Sequence, residues 1–114
     1  MITTKITLNE HDCSHYRIYF VVDEVIAGSC SGLVYRNDKA KVMHIDDVFI
    51  QEGYRNKGYG TEMIREAVKF AITHHVDSVE LTANEDNAIA RRLYQKLGFV
   101  ETNKKYCRRI LNIK

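Results

Sequence analysis

The chain has 114 residues, of which 45% are hydrophobic and 28% charged, with a formal net charge of +2. This length suits a single domain over residues 1–114, and no apolar run approaches the roughly 18 residues that span a bilayer. The small charge and the even spread of Lys and Arg exclude nucleic-acid binding by charge alone. Because Cys13, Cys30 and Cys107 lack disulfide or metal-ligand spacing and no signal peptide precedes them, we expect free thiols and a cytoplasmic location.

The first half of the chain reads as β-strands. Three segments rich in aromatic and β-branched residues are separated by the turn signals Asp23-Glu24 and Asn37-Asp38-Lys39. These segments are residues 16–22, 25–35 and 40–50. They predict an antiparallel meander, and residues 5–8 are compatible with a short additional strand.

The second half changes to helical periodicity. Apolar residues recur at helical spacing from Thr61 onward, namely Met63, Ile64, Ala67, Val68, Ala71 and Ile72. Residues 77–83 alternate like a strand, and a second helix is predicted over 88–97, capped by Asp86 or Asn87 and ended by Gly98. Residues 99–101 and 106–112 supply one or two closing strands. The order of elements predicts an α+β fold.

The turn between the third strand and the first helix carries the most specific chemistry. It reads Arg55-Asn56-Lys57-Gly58-Tyr59-Gly60-Thr61. Glycine lets the backbone approach a ligand closely, and the first amides of a helix have no partner inside the helix. The helix dipole and the charges of Arg55 and Lys57 add to the attraction for an anion. The pattern predicts a phosphate or pyrophosphate site.

Two well-known phosphate loops do not match this turn. A Walker A loop requires lysine where Tyr59 stands, and the dinucleotide fingerprint requires a third glycine where Met63 stands. The remaining pattern, Arg-x-x-Gly-x-Gly after a strand and before a helix, resembles the coenzyme A pyrophosphate loop of the GNAT superfamily of acetyl-CoA-dependent N-acetyltransferases.

A second segment strengthens this resemblance, which covers about residues 40–110. Asn87 stands at a helix start, Tyr94 follows seven residues later, and Leu97-Gly98-Phe99 closes the segment. The resemblance implies a GNAT-like fold, an antiparallel meander followed by helix, strand, helix and strand. Members of the superfamily usually carry a strand and two helices before the meander, whereas only 15 residues precede Tyr16 here. We therefore expect these helices to be reduced or absent, and the acceptor side to be open or completed by a second subunit in a homodimer.

The resemblance also implies how acetyl-CoA is held. Main-chain amides of residues 56–61 would bind the pyrophosphate, and the end of the third strand would bind the pantetheine arm while its side chains serve the core. An amide near Phe49 would polarise the thioester carbonyl. The implied coenzyme-binding residues are Val48, Phe49, Ile50, Arg55, Asn56, Lys57, Gly58, Tyr59, Gly60, Thr61, Asn87 and Ala90. No metal is implied.

The resemblance assigns Tyr94 as the acid that protonates the departing thiolate, although packing explains a helical tyrosine equally well. For the base that takes the amine proton, two candidates stay open. Alternation along the strand places His44 and Asp46 on one face and Asp47 on the other. His44 has a suitable ordinary pKa, and Asp46 would act through water or attract a cationic acceptor.

The sequence therefore predicts transfer of an acetyl group from acetyl-CoA to a primary amine by direct attack in a ternary complex. The acceptor is a small-molecule amine or a peptide or protein amine, and neither nucleic acid nor membrane is an expected partner. The cysteines lie outside both motifs, which disfavours a covalent route. The alternative is a module of the same fold that binds coenzyme A or a protein without catalysis.

Overall fold

The computed structural model describes residues 2–9, 12–82, 87–102 and 106–111. These residues form one sheet of seven strands in the order β1-β2-β3-β4-β5-β7-β6. The strands are β1 Ile2–Asn9, β2 Asp12–Val22, β3 Val25–Arg36, β4 Lys41–Ile50, β5 Ser78–Thr82, β6 Val100–Glu101 and β7 Tyr106–Ile110. Helix α1 spans Tyr59–Thr73 and helix α2 spans Ala88–Lys96. The predicted α+β class and the order of elements are confirmed.

The first strand is longer than the sequence pattern suggested. β1 covers eight residues and pairs antiparallel with β2 from Ile2 opposite Val22 to Asn9 opposite Asp12. Only residues 10 and 11 separate these two strands in the sequence, so no helix lies between them. The expectation that the two helices of the family are reduced or absent is therefore confirmed.

Both helices pack on the same face of the sheet, which we call the helix face. It presents Ile18, Phe20, Met43, Ile45, Val79 and Leu81, each at most 1% exposed. The buried side of α1, from Met63 to Ala71, and Tyr94 of α2 join these residues in one apolar cluster. Ile72 is an exception to the predicted stripe, because it lies beyond this contact and is exposed.

The opposite face of the strands, which we call the open face, is mainly polar, includes the buried Val42 and carries neither α1 nor α2. It presents Arg17, Ser31, Leu33, Tyr35, His44 and Glu80. Leu33 and Tyr35 are more than a third exposed, whereas Glu80 is buried beneath its neighbours. The same strands thus alternate between a dry apolar face and a polar face that the described helices leave uncovered.

Strand β4 leaves its neighbour β5 midway along its length. Among the described residues, the two strands pair in parallel from Val42 opposite Ser78 to Ile45 opposite Leu81. On its other side β4 continues to pair with β3 as far as Ile50 opposite Gly28. The approach there is close, since a Cβ on Gly28 would lie 2.7 Å from the carbonyl oxygen of Phe49. The divergence of β4 and β5 opens the gap in which the candidate site lies.

A β-bulge in β4 overturns one prediction about the aspartates. Asp46 pairs with Ser31 of β3, and Phe49 pairs with Ser29, so three residue steps on β4 match two steps on β3. Within this stretch Asp47 has φ 55°. An extra residue in a bulge breaks the two-residue alternation of a strand, and aspartate tolerates this left-handed backbone better than most residues. Asp47 therefore points to the open face like Asp46, and the prediction that it lies on the other face is wrong.

Candidate functional site

A cavity of about 270 Å³ occupies the gap between β4, β5 and the start of α2. It is lined by Asp46, Asp47, Val48, Thr82, Asn87, Ala90 and Tyr94. Five of these residues were predicted site residues, and Asp47 and Thr82 are additions. The volume is close to the lower end of ordinary ligand pockets. Tyr94 enters it from the helix face, and Thr82 and the aspartates enter it from the open face.

The glycine turn has an open, donor-rich backbone. Gly58 has φ 81°, and a Cβ built on it would meet nothing within 4 Å. Helix α1 begins at Tyr59, two residues before the predicted start, and its first intrahelical hydrogen bond runs from the amide of Glu62 to the carbonyl of Gly58. The amides of residues 59–61 precede that bond, so they have no acceptor within the helix.

The side chains around the turn hold it against the end of β4. The Arg55 Nε donates to the carbonyl of Ile50 at 2.9 Å, and the guanidinium lies 5.7 Å from the centre of the Phe49 ring. A Cβ on Gly60 would lie in ordinary contact with Ile50 and with Leu93 of α2. Arg55 thus secures the loop to the strand, and Asn56 and Lys57 are exposed beside it.

The end of β4 presents one unpaired edge among the residues that the structure describes. Past Ile45 the strand pairs with β3 alone, so the backbone of residues 46–50 faces the gap on its other side. Val48 is 38% exposed and Phe49 is 50% exposed, while Ile50 packs against the core. The expectation that all three side chains serve the core is therefore wrong for Val48 and Phe49, because the described part of β5 no longer flanks β4 there.

Tyr94 lies where the core meets the cavity. It is 6% exposed, its ring packs at 59° to that of Phe99, and it still lines the gap. Tyr94 therefore packs in the core and also lines the cavity, and its role as an acid stays a prediction.

Asn87 caps α2, because its Oδ1 accepts a hydrogen bond from the amide of Ala90 at 3.1 Å. Both residues line the cavity.

The side chain of Arg91, one residue after Ala90, donates hydrogen bonds to both carboxylate oxygens of Glu101, at 2.6 Å and 2.9 Å. This hydrogen bond and charge lower the pKa of Glu101.

An arginine that the sequence analysis did not single out supports the bulge. Arg17 of β2 donates to the hydroxyls of Ser29 and Ser31 at 2.8 Å and 2.7 Å, and to Asp47 at 3.0 Å. The amide of Asp47 in turn donates to Asp46 Oδ1 at 2.8 Å. The three strands β2, β3 and β4 are therefore tied together beside the two carboxylates.

His44 does not line the cavity but contacts a residue that does. Its Nε2 lies 3.3 Å from the hydroxyl of Thr82, and its Nδ1 lies 3.6 Å from Glu80 Oε2. Glu80 also accepts a hydrogen bond from the Tyr35 hydroxyl. The sequence signal for this cluster was a charged residue, Glu80, between the apolar Val79 and Leu81 of a short strand. Its partners could not be predicted, because they come from strands that are distant in the sequence.

Cys30 is the one cysteine whose side chain is described, and it does not line the cavity. Cys30 is buried on the helix face, and burial raises its pKa to about 12. The side chains of Cys13 and Cys107 lie outside the described set. Within the described ranges, no three His, Cys, Asp or Glu side chains are placed to share a metal ion. None of the helices described is long and apolar enough to cross a membrane.

Comparison with known proteins gives a consistent result. The family model described as the acetyltransferase (GNAT) family matches residues 3–99. An uncharacterised N-acetyltransferase of Methanocaldococcus jannaschii is 33% identical over 64 residues, which are 56% of this chain and 28% of that protein. N-acetylaspartate synthetase of Xenopus tropicalis is 29% identical over 77 residues, which are 66% of this chain and 28% of that protein. The chain thus spans just over a quarter of the length of these curated relatives.

A solved structure shares the fold at low sequence identity. The spermidine/spermine N-acetyltransferase SpeG of Vibrio cholerae superposes with a TM-score of 0.77 at 19% identity, covering 88% of this chain and 69% of that one.

Proposed function

Since the chain belongs to the GNAT family of acetyltransferases, we propose that it transfers an acetyl group from acetyl-CoA to a primary amine by direct attack in a ternary complex. One observation carries this proposal. A strand-to-helix bend with open main-chain donors adjoins, through the unpaired edge of β4, a cavity into which Tyr94 opens. A diphosphate, an extended amide arm and a leaving thiolate require these three features in this order.

The bend fits the diphosphate because consecutive main-chain amides and a helix start attract oxyanions. The amides of residues 59–61 supply these donors, and Gly58 permits the left-handed backbone that aims them outward. Arg55 contributes by fixing the loop to Ile50. The diphosphate therefore depends on backbone geometry more than on side-chain charge.

The unpaired edge of β4 fits the amide arm of the co-substrate as an added strand. An amide of residues 48–50 would donate to the thioester carbonyl, and one such donor is worth roughly 10²- to 10³-fold in rate. Tyr94 would donate its phenol proton to sulfur. A buried phenol suits this role because its ordinary pKa is near that of a thiol and it stays protonated at neutral pH.

The acceptor side favours a cationic amine. Asp46 and Asp47 both line the cavity, and their side chains are exposed rather than buried. Arg17 offsets part of the charge of Asp47, so Asp46 is the stronger attractor. The absence of helices between β1 and β2 leaves this side open to a polyamine or to the side chain of a peptide.

Two measurements test the proposal. Acetyl-CoA should raise the melting temperature, and release of free thiol should depend on an added amine such as spermidine, a lysine-containing peptide or a peptide with a free N-terminus. Unaltered melting at millimolar acetyl-CoA contradicts the proposal.

A matched pair of glycine variants tests whether acetyl-CoA binds at the glycine turn. Gly58→Val forces a β-branched side chain into a left-handed backbone and should weaken acetyl-CoA binding at least about tenfold. Gly53→Ala, which would meet nothing within 4 Å, should bind like the wild type.

The second candidate function is binding of coenzyme A without catalysis. The direct link from β1 to β2 favours it, because the helices that usually wall the acceptor pocket are missing there. This candidate predicts a raised melting temperature with acetyl-CoA and no thiol release with any of the three amines.

A further inference from the structure

A chain of polar groups runs across the open face from a buried carboxylate to the cavity. Glu80 is 8% exposed, and Tyr35 donates its hydroxyl hydrogen to one of the carboxylate oxygens. The other oxygen lies 3.6 Å from Nδ1 of His44. On the far side of the imidazole, Nε2 lies 3.3 Å from Oγ1 of Thr82, which lines the cavity. Four residues from three strands are thus aligned, with only the last reaching the ligand space.

The buried carboxylate determines which imidazole nitrogen carries the proton. A negative charge beside Nδ1 favours a proton there, which leaves the lone pair of Nε2 directed at Thr82. A hydroxyl donates one hydrogen and accepts others, so Thr82 can pass a proton from the cavity to Nε2. Tyr35 holds the carboxylate in place from β3, across the intervening strand β4.

We propose that His44 is the general base of acetyl transfer, that Thr82 relays the amine proton to it, and that Glu80 and Tyr35 are positioning residues. This proposal rests on the proposed function, and it resolves the choice between His44 and Asp46. The Asp46 carboxylate already accepts the amide of Asp47 at 2.8 Å and stabilises the bulge. Asp46 is then left to attract the cationic acceptor.

The proton transfers balance across the cavity. An acceptor ammonium gives one proton to Oγ of Thr82 while the Thr82 hydroxyl gives its own to His44 Nε2. The neutral amine nitrogen bonds to the acetyl carbon, the carbon–sulfur bond breaks, and Tyr94 gives its proton to sulfur. The second nitrogen proton leaves to water, water restores Tyr94, and His44 releases its proton to solvent.

Titratable and charged groups of several strands surround the imidazole. Glu80 faces it from β5, Tyr35 contacts that carboxylate from β3, and Asp46 lies two residues along β4 on the same face. In the sheet register, Arg108 of β7 stands opposite Glu80. Replacement of Glu80 by Gln should therefore lower kcat, because an amide no longer favours the Nδ1 proton that directs the Nε2 lone pair at Thr82.

The experiment uses acetyl-CoA with whichever of the three amines supports thiol release in the wild type. His44→Ala should lower kcat by about 10²-fold or more while acetyl-CoA binding stays within about twofold, and added imidazole should restore at least about tenfold. Thr82→Val should lower kcat by a similar factor, and Thr82→Ser should keep most of the wild-type kcat. Glu80→Gln should have a kcat between those of these variants and the wild type, with its KM for acetyl-CoA unchanged. His15→Ala, an exposed histidine on β2, is the control.

Different results would contradict the proposed acetyl transfer and the proton relay through Thr82 and His44. If the wild type neither binds acetyl-CoA nor releases thiol with any amine, the proposed function fails. If the wild type is active and Thr82→Val equals Thr82→Ser, or His44→Ala binds acetyl-CoA normally without imidazole rescue, the relay through Thr82 and His44 is overturned. Should His44→Ala not fold, His44→Gln replaces it for the rate loss and the Thr82 pair carries the test.

Discussion

The two faces of the sheet are built from the same strands and do different work. On the helix face, Met43 and Ile45 of β4 lie in an apolar cluster sealed by α1 and α2. On the open face, the intervening His44 belongs to a polar chain that includes Tyr35 and Glu80. Burial of apolar area holds the fold together, whereas the polar face contributes directional contacts of small net stability. The faces meet only where β4 and β5 diverge, so the cavity receives an apolar wall with Tyr94 and a polar wall with Thr82.

This division predicts that the largest loss of turnover comes from a change at Tyr94, which lies where the two faces meet. Tyr94→Phe removes only a hydroxyl, so packing against Phe99 persists while the proposed proton donor is lost. We expect turnover to fall about 10²- to 10⁴-fold with acetyl-CoA affinity unchanged. Steady-state rates together with calorimetric binding of acetyl-CoA measure both quantities, and a variant with wild-type turnover across pH would remove the acid role.

The contrast in stability is tested within one strand pair. Ile45→Ala empties part of the helix face at a residue that is 1% exposed, and should lower the free energy of unfolding by about 2–5 kcal/mol. Leu33→Ala changes the open face at a residue that is 37% exposed, and should cost less than about 1 kcal/mol. Urea unfolding of both variants supplies the comparison. Equal losses would mean that the open face is covered in solution.

A smaller effect should follow from releasing the arginine that ties the bulge. Arg17→Met keeps the apolar stem and removes hydrogen bonds to two serines and Asp47, so we expect a loss of about 1–2 kcal/mol. Arg65→Met removes an equal charge from an exposed pair with Glu62 on α1 and should change stability by less than about 0.5 kcal/mol. Thermal and urea melts at two salt concentrations separate the two cases, and matched losses would refute the clamp.

The smallest predicted effect concerns pH. The Arg91 hydrogen bond and charge hold the pKa of Glu101 below its ordinary value of 4.5. A depressed carboxyl pKa stabilises the fold above 4.5, and this contribution fades as the pH falls from 4.5 through the lower folded value. The wild type should therefore lose slightly more melting temperature than Glu101→Gln over that range. Parallel curves for the two proteins would show that solvent screens the pair fully.

Local sequence patterns determined the architecture and the position of the glycine turn. Two-residue alternation, helical spacing and the glycines at 58 and 60 are short-range signals, so the meander, both helices and the bend were predictable within a few residues. The cap of α2 at Asp86 or Asn87, and the position of Tyr94 seven residues after Asn87, were predictable for the same reason. The oligomeric state, the location in the cell and the roles of the site residues stay predictions.

Only the tertiary structure decided what surrounds those residues. The bulge at Asp47 arises from the register of β4 against β3 and reversed the face on which that carboxylate lies. Arg17 meets Asp47 across 30 residues of chain, and Tyr35 meets Glu80 across 45. Such contacts depend on strand order and register, which are set by global packing rather than by neighbouring residues. The sequence therefore specified the glycine turn and the start of α2, and the fold alone assembled the polar side of the cavity.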